Sequence, residues 1–316
     1  MVRYTVRRVL GTIPLLLLIS VIAFALVHLM PGDPLEMMIN PGISQHEIEV
    51  QRERLGLGDS LPAQYFAWLG QILRGNLGYS ISSQEPISDI LAQRIPATVL
   101  LMGSAMAVSL LAAVPAGVLS AVRRYSGLDY AITAASLCGV SVPSFFLGLC
   151  AIYLFGVRLD LFPTGMMLTP GMPFSVPDLL RHLALPALVL GLGGAAQYTR
   201  YIRSAMVEVL DQDYIRTARA KGTAQGRVVF VHALRGGLMS IITLLGMELP
   251  QLFGGAVITE QIFSWPGIGR LMVESVFGRD YPVLMALILI TAVLVVLGNL
   301  LADLLYAVAD PRVKLG

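Results

Sequence analysis

Few residues of this 316-residue chain have the type and spacing that catalysis or metal binding would require. The only two lysines are Lys221, followed by Gly222, and Lys314, followed by Leu315, so a phosphate-binding loop ending in Gly-Lys-Ser/Thr is excluded. The Gly-x-Ser-x-Gly, His-Glu-x-x-His and Cys-x-x-Cys patterns of hydrolases, zinc proteases and redox or metal sites are also missing. The sequence therefore predicts a non-catalytic chain that binds no cofactor and no metal itself.

Ionisable side chains inside apolar segments are the remaining candidates for chemistry. Glu248 lies midway along an apolar stretch, with Pro250 and Gln251 directly after it. A carboxylate within a membrane is costly, so it faces protein or water and often marks a transport pathway. For Glu248, Pro250 and Gln251, a translocation pathway and a structural hydrogen bond near the proline break both fit the sequence. For Asp303, extension of the side chain to the membrane surface, or an ion pair with a basic residue such as Arg312, is favoured over transport.

The polar stretch 203–237 is too long for a simple connection and has a more informative pattern. Asp213 could cap a helical run that ends at Lys221, and Gly222 stands where a left-handed residue would stop that helix. A second amphipathic run continues to Leu234. Two interpretations remain open, a basic loop lying on anionic lipid and a short helix presented to another protein. Two helices bent around a glycine favour docking.

The side chains before Gly222 also suit a docking helix. Ala218 and Ala220 are small, as expected for a helix seated in a protein cleft. Arg216, Arg219 and Lys221 offer charges to the rim of such a cleft.

Membrane-spanning helices must position these residues. The chain is 56% hydrophobic and only 13% charged, against about 25% charged residues in an ordinary soluble domain. A bilayer core needs roughly 20 apolar residues per helix. Six segments meet this length, namely 9–29, 98–120, 132–156, 184–202, 238–259 and 283–307. The continuous apolar runs predict an all-α polytopic bundle of about six spans in a lipid bilayer, and the net charge of +2 gives no reason to expect a nucleic-acid partner.

The distribution of charge sets the orientation of the bundle. Most of the 22 basic residues fall in segments that lie inside if the N-terminus is inside, and most of the 20 acidic residues fall outside. Both termini are therefore expected in the cytoplasm, with an uncleaved first span. The expected organisation is a cytoplasmic N-terminus 1–8, first span 9–29, external segment 30–97, core transmembrane domain 98–307 with its cytoplasmic loop 203–237, and cytoplasmic C-terminus 308–316. The external segment fits a cap on the bundle better than a docking surface for a partner, although both remain open.

The cytoplasmic loop resembles that of the permease subunits of bacterial peptide-type ABC importers, the group with oligopeptide, dipeptide, nickel and glutathione systems. Their loop motif reads EAA, three residues, Gly, nine residues and I-x-L-P. Anchored on Gly222, this chain has Arg216-Thr217-Ala218 in the EAA place and His232-Ala233-Leu234-Arg235 in the second part. The peptide-type branch usually carries these replacements, so the departure from the general motif narrows the subfamily.

Further segments extend the resemblance along almost the whole chain. They are Pro31-Gly32-Asp33-Pro34, Gln64-Tyr65 with Trp68, Gly75-Asn76-Leu77-Gly78, Arg94-Ile95-Pro96-Ala97-Thr98, Phe162-Pro163-Thr164-Gly165, Leu185-Pro186, Glu260-Gln261-Ile262-Phe263-Ser264-Trp265-Pro266-Gly267 and Asp310-Pro311-Arg312. Each is weak alone, and their order and spacing together make the resemblance specific.

The resemblance implies a type I-like ABC importer subunit in the bacterial inner membrane. It implies a second homologous permease, two cytoplasmic ATPases that use ATP and magnesium, and an external solute-binding protein that delivers peptides. Nickel chelates, glutathione and oligosaccharides remain alternative substrates, and a stand-alone secondary transporter or a membrane enzyme is the alternative class. The implied ATPase-coupling residues are Asp213, Tyr214, Arg216, Thr217, Ala218, Arg219, Ala220, Lys221, Gly222, Arg227, His232 and Arg235.

Overall fold

The structure, a computed structural model, describes residues 2–29, 58–237 and 256–309, with positions 242, 246, 248 and 250–254 between them. Every regular element in these ranges is helical, which confirms the all-α prediction. The α-helices are α1 (Val2–Leu29), α2 (Leu61–Leu73), α3 (Ile87–Val122), α4 (Gly127–Ser141), α5 (Ser144–Ala151), α6 (Val176–Leu210), α7 (Asp213–Ala220), α8 (Gln225–Arg227), α9 (Gln251–Gly254), α10 (Val257–Ile262), α11 (Ile268–Phe277) and α12 (Tyr281–Ala309). π-Helical turns continue α5 over Ile152–Arg158 and α8 over Val228–Ala233.

Among the described helices, four are long and apolar enough to cross a bilayer. They are Leu10–Leu29 of α1, all of α3, all of α6, and Tyr281–Asp303 of α12. The predicted third span, 132–156, is not straight, because Gly127–Ser141 and Ser144–Arg158 meet at 95°. Proline disfavours helical backbone in the residue before it, and Val142, which precedes Pro143, is extended with φ −87° and ψ 123°. Counted as one broken span, this pair makes a fifth crossing.

The helices that match predicted spans are longer than the apolar windows that identified them. α3 begins at Ile87, well before residue 98, so part of the predicted external segment is helix. α6 likewise extends the window 184–202 at both ends. A hydropathy window finds only the stretch within lipid, whereas the backbone stays helical into the polar regions. Most of the predicted span 238–259 lies outside the described residues.

α3 and α6 are parallel and closely packed through glycine. A Cβ at Gly191 would lie 2.6 Å from Val108 Cγ1, and one at Gly117 would lie 2.8 Å from Ile202 Cγ2. Small residues allow such approach of helices in a membrane. Since parallel helices require the chain between them to return, the broken pair α4–α5 is the apolar segment that makes this return.

The ends of the bundle are defined by two apolar clusters. The loop-end cluster joins α7 and the π-helical turn after α8 to the last turns of α3 and α6, through buried residues such as Ile215, Val228, Ile202 and Met206. The far-end cluster joins Trp265 to the first half of α3 and of α6. The residues that flank the predicted span 238–259 therefore lie at opposite ends of the bundle.

Candidate functional site

Helix α7 at the loop end contains most of the predicted coupling residues and is amphipathic. Ile215 is fully buried in the loop-end cluster, and Ala218 is half-buried against the same cluster. The other side chains are exposed, namely Asp213, Tyr214, Arg216, Thr217, Arg219, Ala220 and Lys221. Ala218 thus packs partly against its own bundle, whereas Ala220 lies on the exposed face, and the coupling role of both residues stays a prediction.

The C-terminal end of α7 is fixed by Gly222. The Gly222 N–H donates to the carbonyl oxygen of Arg219 at 2.9 Å, and the Thr223 N–H donates to that of Ala218 at 3.2 Å. These two bonds form a Schellman motif, in which the residue after the cap is left-handed. Gly222 has φ +76°, as the sequence predicted. The direction in which the chain leaves α7 therefore depends on a conformation that glycine adopts without strain.

The N-terminal end of α7 differs from the prediction. Gln212 occupies the cap position and makes no side-chain cap hydrogen bond, while Asp213 is the first helical residue. The expectation that Asp213 caps this helix is therefore wrong. Its side chain is 96% exposed and lies 3.4 Å from Arg216 Nη1. Such an exposed pair contributes little to stability, so the charges of this turn are available to a partner.

The second run of the loop packs beside α7. Val228, Val229 and Ala233 are buried in the loop-end cluster, so this run and α7 share one support. The three predicted coupling residues of this run, Arg227, His232 and Arg235, are exposed.

A buried ion pair lies where α3, α4 and α6 meet, and sequence reasoning missed it. Asp129 accepts hydrogen bonds from Arg203 Nε and Nη2, both at 2.7 Å. It also accepts from the Ser120 hydroxyl and, at 2.9 Å, from the Tyr125 N–H. The side chain of Asp129 is 3% exposed and that of Arg203 is 29% exposed. We call this group, formed by Asp129, Arg203, Ser120 and Tyr125, the loop-end clamp.

The loop-end clamp stands directly before the coupling helix. Arg203 lies on the part of α6 that continues to Leu210, and α7 begins at Asp213. A two-pronged guanidinium–carboxylate pair fixes both orientation and distance. Within this group, only the position of Asp129 could be recognised from the sequence. Ser126 caps α4 and accepts a hydrogen bond from the Asp129 N–H, which is a local pattern at the start of a helix. The partner, Arg203, is distant in sequence and carries no signal of its own.

The predicted pathway residues lie apart from α7. Glu248 lines a cavity of about 240 Å³ between α3 and α6, together with Ser109, Gln197 and Tyr198. Pro250 is described and does not line this cavity, whereas the side chain of Gln251 lies outside the described residues. Of the three predicted pathway residues, the structure places Glu248 at a cavity. The role of Glu248 in transport stays a prediction.

Several segments that carried the resemblance meet at the far end. Thr98 donates to Glu260 Oε1 at 2.8 Å and accepts from the Ile268 N–H at 2.8 Å. The Trp265 indole donates to the Ala97 carbonyl oxygen at 2.8 Å. Glu260 is fully buried, and a Cβ at Gly267 would overlap its carboxylate. These hydrogen bonds hold α3, α10 and α11 together. Elsewhere among the described residues, no group of three or more side chains is placed to bind a metal ion.

Comparison with known proteins assigns the architecture. Residues 113–315 match the family described as the binding-protein-dependent transport system inner membrane component, and residues 1–102 match the N-terminal family of the same membrane components. The chain belongs to this family. It is therefore a multi-pass protein of the inner membrane and the membrane component of a binding-protein-dependent transport system.

Individual relatives agree along the full length. The chain is 47% identical to the oligopeptide transport system permease protein AppB of Bacillus subtilis, over 99% of this chain and 100% of the relative. It is 37% identical to the glutathione transport system permease protein GsiC of Escherichia coli K12, over 99% of each chain. An inward-facing structure of the MetNI methionine ABC transporter matches with a TM-score of 0.59 and 17% identity, over 72% of this chain and 99% of that one. This last likeness supports the fold of an ABC importer membrane subunit.

Proposed function

We propose that the chain forms half of the translocation pathway of an ATP-driven importer for oligopeptides. In this proposal a second permease supplies the other half, two ATPases bind at the loop end, and an external solute-binding protein delivers the peptide. The loop end is then cytoplasmic, as the charge distribution predicts. ATP and magnesium act in the ATPases, because this chain contains no phosphate-binding loop.

The exposed face of α7 is the observation that carries the proposal. A helix that lies on lipid presents an apolar face to the membrane. The one large aliphatic side chain of α7, Ile215, is already buried within the chain. What remains outside is a mixed polar face with Tyr214, Arg216 and Arg219. This arrangement favours a protein cleft over a lipid surface as the docking partner.

The loop-end clamp supplies a mechanical connection from α7 to the spans. Closure of the ATPases on α7 would move a helix that is anchored by Ile215 and joined to the end of α6 by only Asp211 and Gln212. Because Arg203 joins α6 to α3 and α4 through Asp129 and Ser120, displacement of α6 is passed to those helices as one body. Rigid-body motion of this kind converts ATP-driven closure into alternating access.

The cavity at Glu248 is the candidate segment of the pathway. It contains one carboxylate and the polar groups of Ser109, Gln197 and Tyr198 between α3 and α6. Such polar groups within a membrane protein usually face protein or a water-filled route. We therefore propose Glu248 as a pathway residue, whereas the assignment of Pro250 and Gln251 to the pathway rests on their sequence position alone.

The higher identity to the oligopeptide permease than to the glutathione permease supports peptides as substrates. Cells that lack this chain but retain its partner subunits should lose uptake of a labelled oligopeptide mixture, and the wild-type chain should restore it. Labelled glutathione is the matched comparison. If the wild-type chain restores only glutathione uptake, glutathione and not oligopeptides is the substrate. If it restores uptake of neither compound, both substrate assignments are contradicted.

A further inference from the structure

Helix α2 (Leu61–Leu73) has an unusual composition for a segment expected in water. None of its thirteen residues is charged. Phe66 is 69% exposed and Leu73 is 79% exposed, and Leu61 is exposed as well. The polar side chains of this region are already engaged, since the Gln64 amide donates to the Asp59 carbonyl oxygen. The outer surface of α2 is therefore an apolar strip.

Contacts with α1 fix the depth of α2 relative to the bilayer. The hydroxyls of Tyr65 and Ser20 are 2.8 Å apart, and Gln64 Oε1 lies 3.1 Å from His28 Nε2. Phe24 packs its ring against Tyr65, with ring centroids 5.5 Å apart. Ser20 lies within the apolar span Leu10–Leu29 of α1. At 1.5 Å per residue it is roughly 13 Å from the end of that span, so α2 lies beside the span and not beyond it.

We infer that α2 is embedded in the far-end leaflet of the bilayer, with the apolar strip on its outer face (Pro62, Phe66 and Leu73) against lipid acyl chains. Tyr65 and Trp68 then lie between α2 and α1, where both rings pack near Phe24 within the span. The neighbouring helix α1 also exposes apolar side chains, among them Leu18, Ile22 and Leu26. An interfacial helix of this kind is held by buried apolar area and needs no protein partner.

This inference is independent of the ATPases and the substrate, and it changes the expectation for residues 30–97. That segment was expected to be wholly external, with a docking surface as one possibility. An external binding protein would meet an uncharged, apolar helix here, which is a poor match for a transient contact between soluble surfaces. A lipid environment satisfies the same strip without any partner.

The test is the accessibility of a spin label at position 66 in the reconstituted complex. Cys138 and Cys150 are first replaced with alanine. The complex that contains this cysteine-free chain gives the background signal of the spin label. Phe66→Cys carries the label, Leu18→Cys is the lipid-facing control on α1, and Glu85→Cys is the exposed control in the loop before α3. Oxygen partitions into lipid, whereas a water-soluble nickel chelate stays in the aqueous phase.

At position 66 we expect the pattern of Leu18→Cys, with a collision rate for oxygen several-fold higher than for the nickel chelate. Glu85→Cys should show the reverse ratio. A position 66 label that behaves like the one at 85 would contradict embedding, because α2 would then lie in water. Low accessibility to both reagents would also contradict it, because a protein partner would then cover the strip.

Discussion

Replacement of Gly222 by valine is expected to reduce substrate uptake at least tenfold while the chain still inserts in the membrane. Gly222 has φ +76°, a conformation in which a β-branched residue is strongly strained. No atom lies within 4 Å of a Cβ built there. The effect therefore comes from loss of the left-handed turn, which would unwind the end of α7 and misdirect its exposed face.

Two matched variants separate this cause from general damage. Gly226→Val adds the same side chain four residues later, where the backbone is helical and the space is also open. Gly222→Asn keeps a residue that tolerates the left-handed region. Both should retain most of the uptake, measured with labelled peptide and normalised to the amount of chain in the membrane. Equal uptake by Gly222→Val and Gly226→Val would remove the turn from the coupling mechanism.

Removal of the carboxylate of the loop-end clamp is the second large effect that we expect. Asp129→Ala leaves Arg203, the Ser120 hydroxyl and the Tyr125 N–H without their common acceptor in a buried site. Breaking a buried ion pair on one side costs roughly 3–5 kcal/mol, and the partial exposure of Arg203 places the expected loss toward the lower end. The thermal unfolding midpoint of the purified chain in detergent should fall, and uptake should fall with it.

An exposed ion pair at the same end provides the control. Arg124 and Asp211 are 3.6 Å apart, with side chains 42% and 68% exposed. Asp211→Ala should cost at most about 1 kcal/mol, because water screens such a pair. The double variant Asp129→Ala with Arg203→Met should recover part of the loss, since no charge is then left without a partner. A loss for Asp129→Ala as small as that for Asp211→Ala would contradict the role of the clamp.

Features encoded locally could be predicted from the sequence. The apolar segments predicted the helices α1, α3, α6 and α12, because lipid requires long uninterrupted helices. Gly222 predicted the end of α7, since few other residues adopt a left-handed turn readily. The proline at 143 was visible as well, but its presence alone does not distinguish a kinked helix from the 95° break between α4 and α5.

Features that depend on distant parts of the chain could not be predicted. The pair of Asp129 and Arg203 joins residues 74 positions apart, and a single sequence contains no signal for that contact. Whether Ala218 or Ala220 faces the bundle depends on the packing of Ile215 against α3 and α6, which periodicity over one short helix cannot reveal. The depth of α2 was hidden for the same reason, because it is set by the contact of Tyr65 with Ser20.

The central claim is that the exposed face of α7 contacts an ATPase, and site-specific photo-cross-linking tests it most directly. A benzophenone label is attached to Arg219→Cys in the chain with Cys138→Ala and Cys150→Ala, within the purified complex in lipid vesicles. Glu85→Cys at the far end is the matched control. We predict a cross-linked product of this chain with an ATPase subunit from position 219 and no such product from position 85. Cross-linking of position 219 to lipid alone, with the ATPase present in the complex, would contradict the claim.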